Sequence, residues 1–267
     1  MRLTILGTGN ALVTRCYNTC FTLDEGNGVF LVDGGGGNAV LRQLDLAGIP
    51  VPSIHDIFVT HRHVDHLLGI LWVMRMILHH MQHGAFTGDA RVYGHAEVID
   101  LLRHMAVSLL AAGEIAFIDR RFLLTVVEDG ETRAIGGRPV TFFDIGSTKA
   151  RQFGFSMGLD GGGRLVCCGD EPCSAAGEPY AAGARWLLHE AFCLHTQADV
   201  YAPYEKHHST VRDACLLAER LGVENLVLYH TEDDNLARRR ELYTAEGRPL
   251  FRGNLFVPDD LDVIEVS

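Results

Sequence analysis

One short stretch of the 267-residue chain reads Phe58-Val-Thr-His-Arg-His-Val-Asp-His66, with three histidines and an aspartate directly after an apolar run. Successive side chains of an extended strand point to opposite faces, so His61 and His63 project to the same side. Asp65 and His66 follow where a helical pattern begins, and the turn of the chain can aim this second pair at a neighbouring position. Two imidazoles beside an imidazole–carboxylate pair match the nitrogen and oxygen ligands of two borderline divalent cations. The stretch therefore predicts a metal centre at a strand end, where active-site residues concentrate.

The remainder of the chain alternates short apolar runs with helical patterns. It has no linker, low-complexity tract or clear repeat, so we expect one domain that spans residues 1–267. Strands are predicted at Leu3–Leu6, Cys20–Leu23, Val29–Val32, Ile57–Thr60, Phe122–Val127, Val140–Ile145, Phe153–Leu159, Leu165–Cys168, Trp186–His189, Leu226–Tyr229 and Asp262–Val266. Helices are predicted at Asn38–Ala47, Leu67–His83, Ala96–Ala111, Thr210–Leu221 and Asn235–Ala245. Hairpin-like strand runs mixed with crossover helices predict an α/β fold of two mixed sheets with helices outside.

The composition is that of a globular protein with an acidic balance. Apolar residues make up 47% and charged residues 21%, and 34 acidic against 23 basic side chains give a net charge of −11. This balance argues against a broad electrostatic grip on nucleic acid, which needs clustered Lys and Arg. No export signal and no apolar run of membrane-spanning length is found, and the seven cysteines include no CxxC pair. We therefore expect a cytoplasmic protein with buried thiols and no membrane contact.

The cluster from His61 to His66 matches in full the signature HxHxDH of the metallo-β-lactamase superfamily, which the chain resembles over most of its length. Asp33 resembles the early strand-end aspartate that supports a ligand histidine. Asp170 resembles the aspartate that bridges two metals, and His230 resembles the late histidine of the second metal. The resemblance implies a four-layer αβ/βα sandwich of two mixed β-sheets flanked by helices. The metal ligands that it implies are His61, His63, Asp65, His66, Asp170 and His230.

Two other segments resemble ribonuclease Z and related phosphodiesterases. His189-Glu-Ala-Phe192 is similar to their His-Glu-Ala-Thr strand end, and Lys206-His-His-Ser-Thr210 is similar to their His-Ser-Thr motif. The resemblance implies that His208 faces the phosphate and assists the departing oxygen, with Glu190 orienting it, while His207 is a bystander. The Ser-Thr pair is also expected to cap the helix that follows.

These resemblances imply metal-dependent hydrolysis of a phosphodiester by a metal-bound hydroxide, with Asp65, His208 and Glu190 as the catalytic residues. One or two Zn²⁺ ions suit the nitrogen-rich ligands, and Mn²⁺ or Fe would also be compatible. Two alternatives stay open: hydrolysis of a thioester or lactone in the same site, and a non-catalytic metal-binding or sensing protein on the same scaffold. A homodimer is compatible with the resemblance, since members of the superfamily are often dimers.

One ligand that the superfamily has is missing from this chain. The superfamily completes its first metal site with a third histidine a few residues before an aromatic-Gly-aromatic stretch, which is Phe153-Gly-Phe155 here. No histidine lies between His104 and His189. Either Asp144 or a water or substrate oxygen takes its place, or the first site is weak.

The chain also lacks room for a feature that ribonuclease Z uses to bind its substrate. The span from Lys149 to Asp170 leaves little length for the long arm with which ribonuclease Z grips tRNA. This agrees with the acidic balance of the chain. A small or nucleotide-like phosphodiester is therefore favoured as the substrate, with tRNA as the alternative.

Overall fold

The computed structural model describes residues 1–24, 26 and 28–266, which form two compact units. Unit 1 comprises Met1–Gly7, Tyr17–Glu128 and Leu261–Val266. Unit 2 comprises Thr8–Cys16 and Asp129–Asp260. Over the described ranges, each unit is built on one seven-stranded mixed sheet with helices beside it. The predicted α/β class with two mixed sheets is thus confirmed.

The sheet of unit 1 changes from antiparallel to parallel pairing along the chain. Its strands are β1 (Arg2–Gly7), β2 (Cys20–Asp24), β3 (Val29–Val32), β4 (Ile54–Phe58), β5 (Ala90–Gly94), β6 (Phe122–Val126) and β14 (Val263–Glu265). They are ordered β14-β1-β2-β3-β4-β5-β6. Pairing is antiparallel from β14 to β3 and parallel from β3 to β6.

Helices connect the parallel strands of unit 1. They are α1 (Ala39–Leu46), α2 (Val64–Gln82), α3 (Ala96–Leu109) and α4 (Ala112–Ile115). Along α2 the apolar residues Ile70, Val73 and Ile77 recur at intervals of three or four, which places them on one face of the helix. All three are fully buried in one cluster with Leu31 and Ile57 of the sheet. Burial of this face fixes α2, and with it the residues of its first turn.

Unit 2 has the same succession of pairing types. Its strands are β7 (Thr132–Ile135), β8 (Arg138–Asp144), β9 (Phe153–Gly158), β10 (Arg164–Cys167), β11 (Trp186–Glu190), β12 (Asn225–Tyr229) and β13 (Asn254–Phe256). Pairing is antiparallel from β7 to β10 and parallel from β10 to β13. The helices are α5 (Glu178–Ala181), α6 (Ala198–Tyr201), α7 (Val211–Arg220) and α8 (Arg239–Gly247).

Helix α7 begins at a capping box that the sequence predicts in part. The Thr210 hydroxyl accepts a hydrogen bond from the Asp213 backbone N–H, and the Asp213 carboxylate accepts one from the Thr210 N–H at 3.0 Å. This pairing satisfies donors that the first helical turn leaves without intrahelical partners. Thr210 is therefore the helix cap, and Ser209 is left to make contacts elsewhere.

In each unit the carboxyl ends of neighbouring parallel strands carry the residues that the sequence singles out. In unit 1, β3 leads into Asp33 and β4 leads towards His61. In unit 2, β10 leads into Asp170, β11 ends at Glu190 and β12 leads into His230. Neighbouring parallel strands end at one edge of a sheet, which is where α/β proteins bind ligands. The topology thus gathers the candidate residues of each unit at one edge of that unit's own sheet.

The observed element boundaries move two of the candidate residues into a helix. Strand β4 ends at Phe58, two residues before Thr60, and α2 begins at Val64, three residues earlier than predicted. Asp65 and His66 therefore lie in the first turn of α2. An acidic side chain there is favoured by the helix dipole, which helps the helix to extend back to this point.

Other differences concern elements with weak sequence patterns. Strands β5, β7 and β13 are not predicted; β7 is largely exposed and β13 has only three residues, so neither shows a clear apolar alternation. Helix α8 begins four residues later than predicted, because a separate 3₁₀ turn precedes it. Among the described residues, no helix is long and apolar enough to cross a membrane, and no disulfide joins the described cysteines.

Candidate active site

In unit 1, Asp33 organises two of the predicted metal ligands. Its Oδ2 atom lies 2.7 Å from Nδ1 of His66 and 2.8 Å from the hydroxyl of Thr60, and its Oδ1 accepts the Thr60 N–H at 2.8 Å. The Thr60 hydroxyl is also 2.9 Å from Nδ1 of His61. All four side chains are buried. Asp33 therefore supports His66 directly, as the resemblance implies, and supports His61 through Thr60.

This network determines which ring nitrogen of each histidine carries the proton. A carboxylate only accepts hydrogen bonds, so Nδ1 of His66 is the donor to Asp33. Thr60 has one hydroxyl proton, which it donates to Asp33, so its oxygen accepts from Nδ1 of His61. Both histidines then have an unprotonated Nε2. A neutral imidazole with its Nδ1–H bound to a carboxylate or hydroxyl is the form that ligates a metal.

The remaining residues of the histidine cluster place their ligand atoms close to these nitrogens. His63 Nδ1 lies 2.8 Å from Nε2 of His61, and Asp65 Oδ2 lies 3.4 Å from Nε2 of His66. Two ligands bonded to one zinc ion in tetrahedral geometry are about 3.4 Å apart. The Asp65–His66 pair has this spacing and fits two ligands of one divalent metal, whereas the His61–His63 pair is at hydrogen-bond distance.

A close backbone crossing holds Asp33 against the start of α2. Gly34 N–H donates to the His66 carbonyl at 2.8 Å, and Gly69 N–H donates to the Gly35 carbonyl at 2.9 Å. A Cβ atom added at Gly69 would lie 1.7 Å from the Gly34 carbonyl oxygen. Only glycine permits this approach. Asp33 itself has φ +56, a conformation that Asp and Asn tolerate better than most residues.

In unit 2, Asp170 and His230 form a second pair of donors with metal-ligand spacing. His230 Nε2 lies 3.5 Å from Asp170 Oδ2, and both side chains are buried. The other carboxylate oxygen, Oδ1, accepts a hydrogen bond from the Gln152 amide at 2.5 Å. His230 has φ +56, so two strand-end residues, Asp33 and His230, adopt the left-handed conformation. Backbone strain of this kind concentrates at functional sites.

The ring of His208 is packed into the same edge of the unit 2 sheet. It stacks on Phe192, with ring centroids 4.8 Å apart, and its centroid is 5.2 Å from that of His230. Its Nδ1 faces Glu190 Oε2 at 3.7 Å, which is close but beyond hydrogen-bond distance. Ligand atoms of Glu190, His208 and His230 all lie within 4.8 Å of one another. Unit 2 therefore brings the two residues predicted to act on the departing oxygen next to a predicted metal ligand.

Burial favours the neutral forms of both members of this pair. The pKa of Glu190 is raised well above its ordinary value, mainly because the carboxyl is fully buried. The pKa of His208 is lowered to about 3, by burial first and then by the charges of His230 and Lys149. Ser209 fixes Glu190 in place, since its N–H donates to Oε1 and its hydroxyl donates to the Glu190 carbonyl at 3.1 Å.

His189 precedes Glu190 and has a structural task. Its Nε2 accepts the Cys173 N–H at 3.0 Å, so its Nδ1 carries the proton and donates to the Glu190 carbonyl at 2.7 Å. Complete burial lowers the pKa of His189 to about 4, so the ring is neutral at pH 7. The ring thereby ties the segment after Asp170 to the end of β11.

Asp144 lies at the start of the connection between β8 and β9, in which the third histidine is missing. Asp144 Oδ1 accepts the Gly146 N–H at 2.8 Å, and its Oδ2 lies 3.2 Å from Nε of Arg151. These contacts stabilise a turn and account for the position of Asp144 without a metal. They therefore favour a water or substrate oxygen as the missing ligand, or a weak first site, over Asp144. Nδ1 of the exposed His207 lies 3.4 Å from the Thr148 hydroxyl.

Three positioning residues were not identified from the sequence as such: Thr60, Gln152 and His189. Thr60 lies between a strand end and the first ligand, which is the position of a residue that can support an imidazole. Gln152 is a polar residue immediately before the apolar β9, and it is 1% exposed. Its burial next to a strand of apolar residues is a signal that only the fold makes visible.

Known proteins resemble the chain along its whole length. It is 25% identical over 318 residues to ribonuclease Z of Thermococcus sibiricus, covering 98% of this chain and 95% of that protein. It is 28% identical over 310 residues to ribonuclease Z of Methanothermobacter thermautotrophicus, covering 100% and 97%. These relatives support an enzyme of the ribonuclease Z type.

Solved structures show the same fold. The metallo-β-lactamase fold protein YhfI from Bacillus subtilis has a TM-score of 0.79 at 18% identity and covers 99% of both chains. The short form of human tRNase Z has a TM-score of 0.76 at 21% identity and covers all of both chains. A diphosphatase of the PhnP family has a TM-score of 0.74 at 17% identity, covering 99% of this chain and 97% of its own.

The predicted family and activity class are therefore confirmed, and the chain is a metal-dependent hydrolase of the phosphodiesterase type with the metallo-β-lactamase fold. A family model described as anti-Pycsar protein Apyc1 matches residues 1–245, which is most of the sequence. Within the ribonuclease Z-like hydrolases, the chain belongs to the family of the anti-Pycsar protein Apyc1.

Proposed function

We propose that this enzyme hydrolyses a small or nucleotide-like phosphodiester, with zinc as its metal. The proposed metal ligands are His61, His63, Asp65, His66, Asp170 and His230. The proposed catalytic residues are Asp65, His208 and Glu190. The proposal combines the superfamily signature of the sequence with the geometry found separately in each unit.

The single observation that carries the proposal is the hydrogen-bond network of Asp33. This carboxylate binds Nδ1 of His66 directly and acts on Nδ1 of His61 through the Thr60 hydroxyl. The network leaves Nε2 of both buried histidines without a proton, and Nε2 of His61 lies 2.8 Å from Nδ1 of His63. Carboxylate-supported imidazoles of this kind are characteristic of metal ligands.

Each catalytic residue has a task that follows from its position. When bound, the metals supply Lewis acidity at a phosphoryl oxygen and lower the pKa of water. Asp65, whose carboxylate lies beside Nε2 of His66, orients the attacking water and receives its proton. His208, held by its stack on Phe192 and neutral in this buried position, donates a hydrogen bond to the departing oxygen, and Glu190 supports its Nδ1 side.

Two features support a small substrate over tRNA. Strands β9 and β10 pair as a hairpin in which Gly158 lies opposite Arg164, so the described part of this region has no inserted arm. The net charge of −11 also disfavours a large polyanion. The curated relatives named ribonuclease Z make precursor tRNA the necessary comparison substrate.

The test is a substrate panel assayed with the zinc-loaded protein. The panel comprises bis-(p-nitrophenyl) phosphate, small nucleotide diesters, precursor tRNA, a thioester and a lactone. We expect turnover of the small diesters, and we expect Asp65→Ala and His63→Ala to lose about 10²–10⁴-fold in activity and to retain less metal. His104→Ala, which changes an exposed histidine on α3, is the matched control and should be unaffected.

Two outcomes would count against the proposal. Preferred turnover of the thioester, the lactone or precursor tRNA would contradict the substrate class. Full diesterase activity in metal-free Asp65→Ala protein would contradict the mechanism. Parallel loading with Zn²⁺, Mn²⁺ and Fe²⁺ tests the metal, since carboxylate-rich sites accept the latter two more readily.

A further inference from the structure

Gln152 is the last residue of the β8–β9 connection, in which the chain lacks the third histidine expected near Gly146. Its backbone carbonyl accepts the Ile145 N–H at 3.0 Å, which closes the base of that connection. Its side chain is 1% exposed and its amide donates to Asp170 Oδ1 at 2.5 Å. The β8–β9 connection, which supplies no histidine ligand, therefore directs a buried amide at the proposed metal ligand Asp170.

The backbone next to Asp170 is shaped to let the amide approach. Gly169 has φ +76, and a Cβ atom there would lie 2.6 Å from Nε2 of Gln152. Any other residue would displace the Gln152 side chain as well as strain the backbone. The Gly169 carbonyl also accepts a hydrogen bond from the buried Tyr229 hydroxyl. The strand end before Asp170 is thus held from two sides.

The two oxygens of Asp170 have different surroundings as a result. Oδ1 accepts from Gln152, whereas Oδ2 faces Nε2 of His230 at 3.5 Å. An amide N–H cannot accept a hydrogen bond, so Gln152 fixes the rotation of the carboxylate about its last bond. Only Oδ2 is then presented beside the imidazole of His230.

We propose that Gln152 is a positioning residue that anchors Oδ1 of Asp170 and so directs Oδ2 of this carboxylate to the metal. The chain thus uses a buried amide in the β8–β9 connection to hold a ligand, where other superfamily members use that connection to supply one. The inference rests on the proposed assignment of Asp170 as a metal ligand. Partners that orient metal-ligating carboxylates typically contribute 10–100-fold to metal affinity.

The test compares Gln152→Leu with Gln197→Leu in the full-length protein. Leucine keeps much of the volume of glutamine and removes the donor. Gln197 is the matched control because it is also in unit 2 and also makes a side-chain hydrogen bond, to Asn235 at 2.8 Å. The measurements are Zn²⁺ affinity by chelator competition, the visible absorption of Co²⁺-loaded protein, and kcat and KM for bis-(p-nitrophenyl) phosphate.

We expect Gln152→Leu to lower Zn²⁺ affinity by about 10–100-fold and to change the Co²⁺ spectrum, which reports ligand geometry. Gln197→Leu should change neither. Wild-type Zn²⁺ affinity together with an unchanged Co²⁺ spectrum in Gln152→Leu would overturn the inference. If Gln152→Leu does not fold, Gln152→Met, with an unbranched side chain of similar length, takes its place.

Asp170→Ala separates this inference from the proposed function. If Asp170→Ala retains wild-type metal affinity, the ligand assignment itself is wrong. If Asp170→Ala loses metal while Gln152→Leu and Gln152→Met retain it, the ligand assignment stands and the positioning role of Gln152 is rejected.

Discussion

Asp33 Oδ2 and His66 Nδ1 lie 2.7 Å apart, and this buried contact joins a strand end to the first turn of a helix within unit 1. Asp33 follows β3, whereas His66 is in α2, so the pair is 33 residues apart in sequence. The same carboxylate oxygen accepts the Thr60 hydroxyl. One carboxylate therefore sets the protonation of His66 and, through Thr60, of His61.

Replacing Asp33 by Asn tests whether this contact prepares a metal ligand. Asp33 accepts hydrogen bonds on both oxygens, whereas an amide has one acceptor oxygen and no charge, so the new NH₂ group would face either the Thr60 N–H or the Nδ1–H of His66. We expect Asp33→Asn to lower Zn²⁺ affinity by about 10–100-fold, measured by chelator competition. Thr60→Val, which removes the hydroxyl between Asp33 and His61 but keeps the Asp33–His66 contact, should lower Zn²⁺ affinity less than Asp33→Asn does. Wild-type Zn²⁺ affinity in Asp33→Asn would contradict this role for the network.

The crossing of Gly34 and Gly69 predicts an unusual response to alanine. Gly→Ala inside a helix normally stabilises by about 1 kcal/mol, and Gly69 lies within α2. Here the new Cβ would lie 1.7 Å from the Gly34 carbonyl oxygen, so the backbone would have to move. We expect Gly69→Ala to lower the free energy of unfolding by about 1–3 kcal/mol or more, measured by urea denaturation.

Gly37→Ala is the control for this substitution, because nothing lies within 4 Å of a Cβ added there. Its free energy of unfolding should stay within about 0.5 kcal/mol of wild type. If Gly69→Ala is as stable as Gly37→Ala, the close approach of the two backbones does not constrain the fold.

Asp144 provides a test of the missing ligand. Its carboxylate accepts the Gly146 N–H and lies near Arg151, which explains its position without a metal. We therefore expect Asp144→Asn to keep the Zn²⁺ content of wild type within about twofold, measured by elemental analysis after gel filtration, since an amide oxygen can still accept the turn hydrogen bond. A stoichiometric loss of metal would identify Asp144 as the replacement ligand after all.

The sequence alone predicts the α/β class, many of the strands and the candidate residues, because most candidates follow an apolar run and His208 lies in a motif that resembles a known one. It misplaces the start of α2, since the helix reaches back to Val64 only when Asp65 and the packing of Gly69 on Gly34 favour it. It also predicts the support of a ligand histidine by Asp33, because a family motif carries that information.

The role of Gln152 could not be predicted in the same way. No periodicity or motif marks it, and its partner Asp170 is 18 residues away across a hairpin. The pairing register of β8, β9 and β10 brings the two together, and no single segment of the sequence shows that register by itself. The sequence shows that a histidine is missing from the β8–β9 connection, but only the structure shows that the Gln152 amide contacts Asp170.

The buried ring of His189 predicts a loss of stability in mild acid. Its pKa is lowered to about 4 in the folded protein, against an ordinary value near 6.5. Below about pH 6.5 the His189 ring of the unfolded chain binds a proton, whereas the ring of the folded protein stays neutral down to about pH 4. The contribution of the neutral ring to the free energy of unfolding is therefore complete above pH 6.5. It decreases by about 3 kcal/mol in total as the pH falls from 6.5 to 4.

We expect His189→Asn, whose amide can still donate to the Glu190 carbonyl, to be less stable at pH 7 but to depend less on pH between 6.5 and 5. The measurement is the free energy of unfolding in urea at several pH values. Other histidines titrate in both proteins, so the difference in slope isolates His189. Equal slopes would show that the folded protein accommodates a charged ring at this position.

The proposed role of His208 predicts a dependence on the leaving group. An alkoxide or ribose oxygen is strongly basic and needs a hydrogen-bond donor as it departs, whereas p-nitrophenolate is stable without one. We therefore expect His208→Ala to reduce kcat by about 10²–10⁴-fold with a nucleotide diester and far less with bis-(p-nitrophenyl) phosphate. Phe192→Leu, which removes the stacked ring but keeps the imidazole, should show a weaker form of the same selectivity. An equal loss on both substrates would mean that His208 acts on substrate binding or on the metal, because neither of those effects depends on the basicity of the departing oxygen.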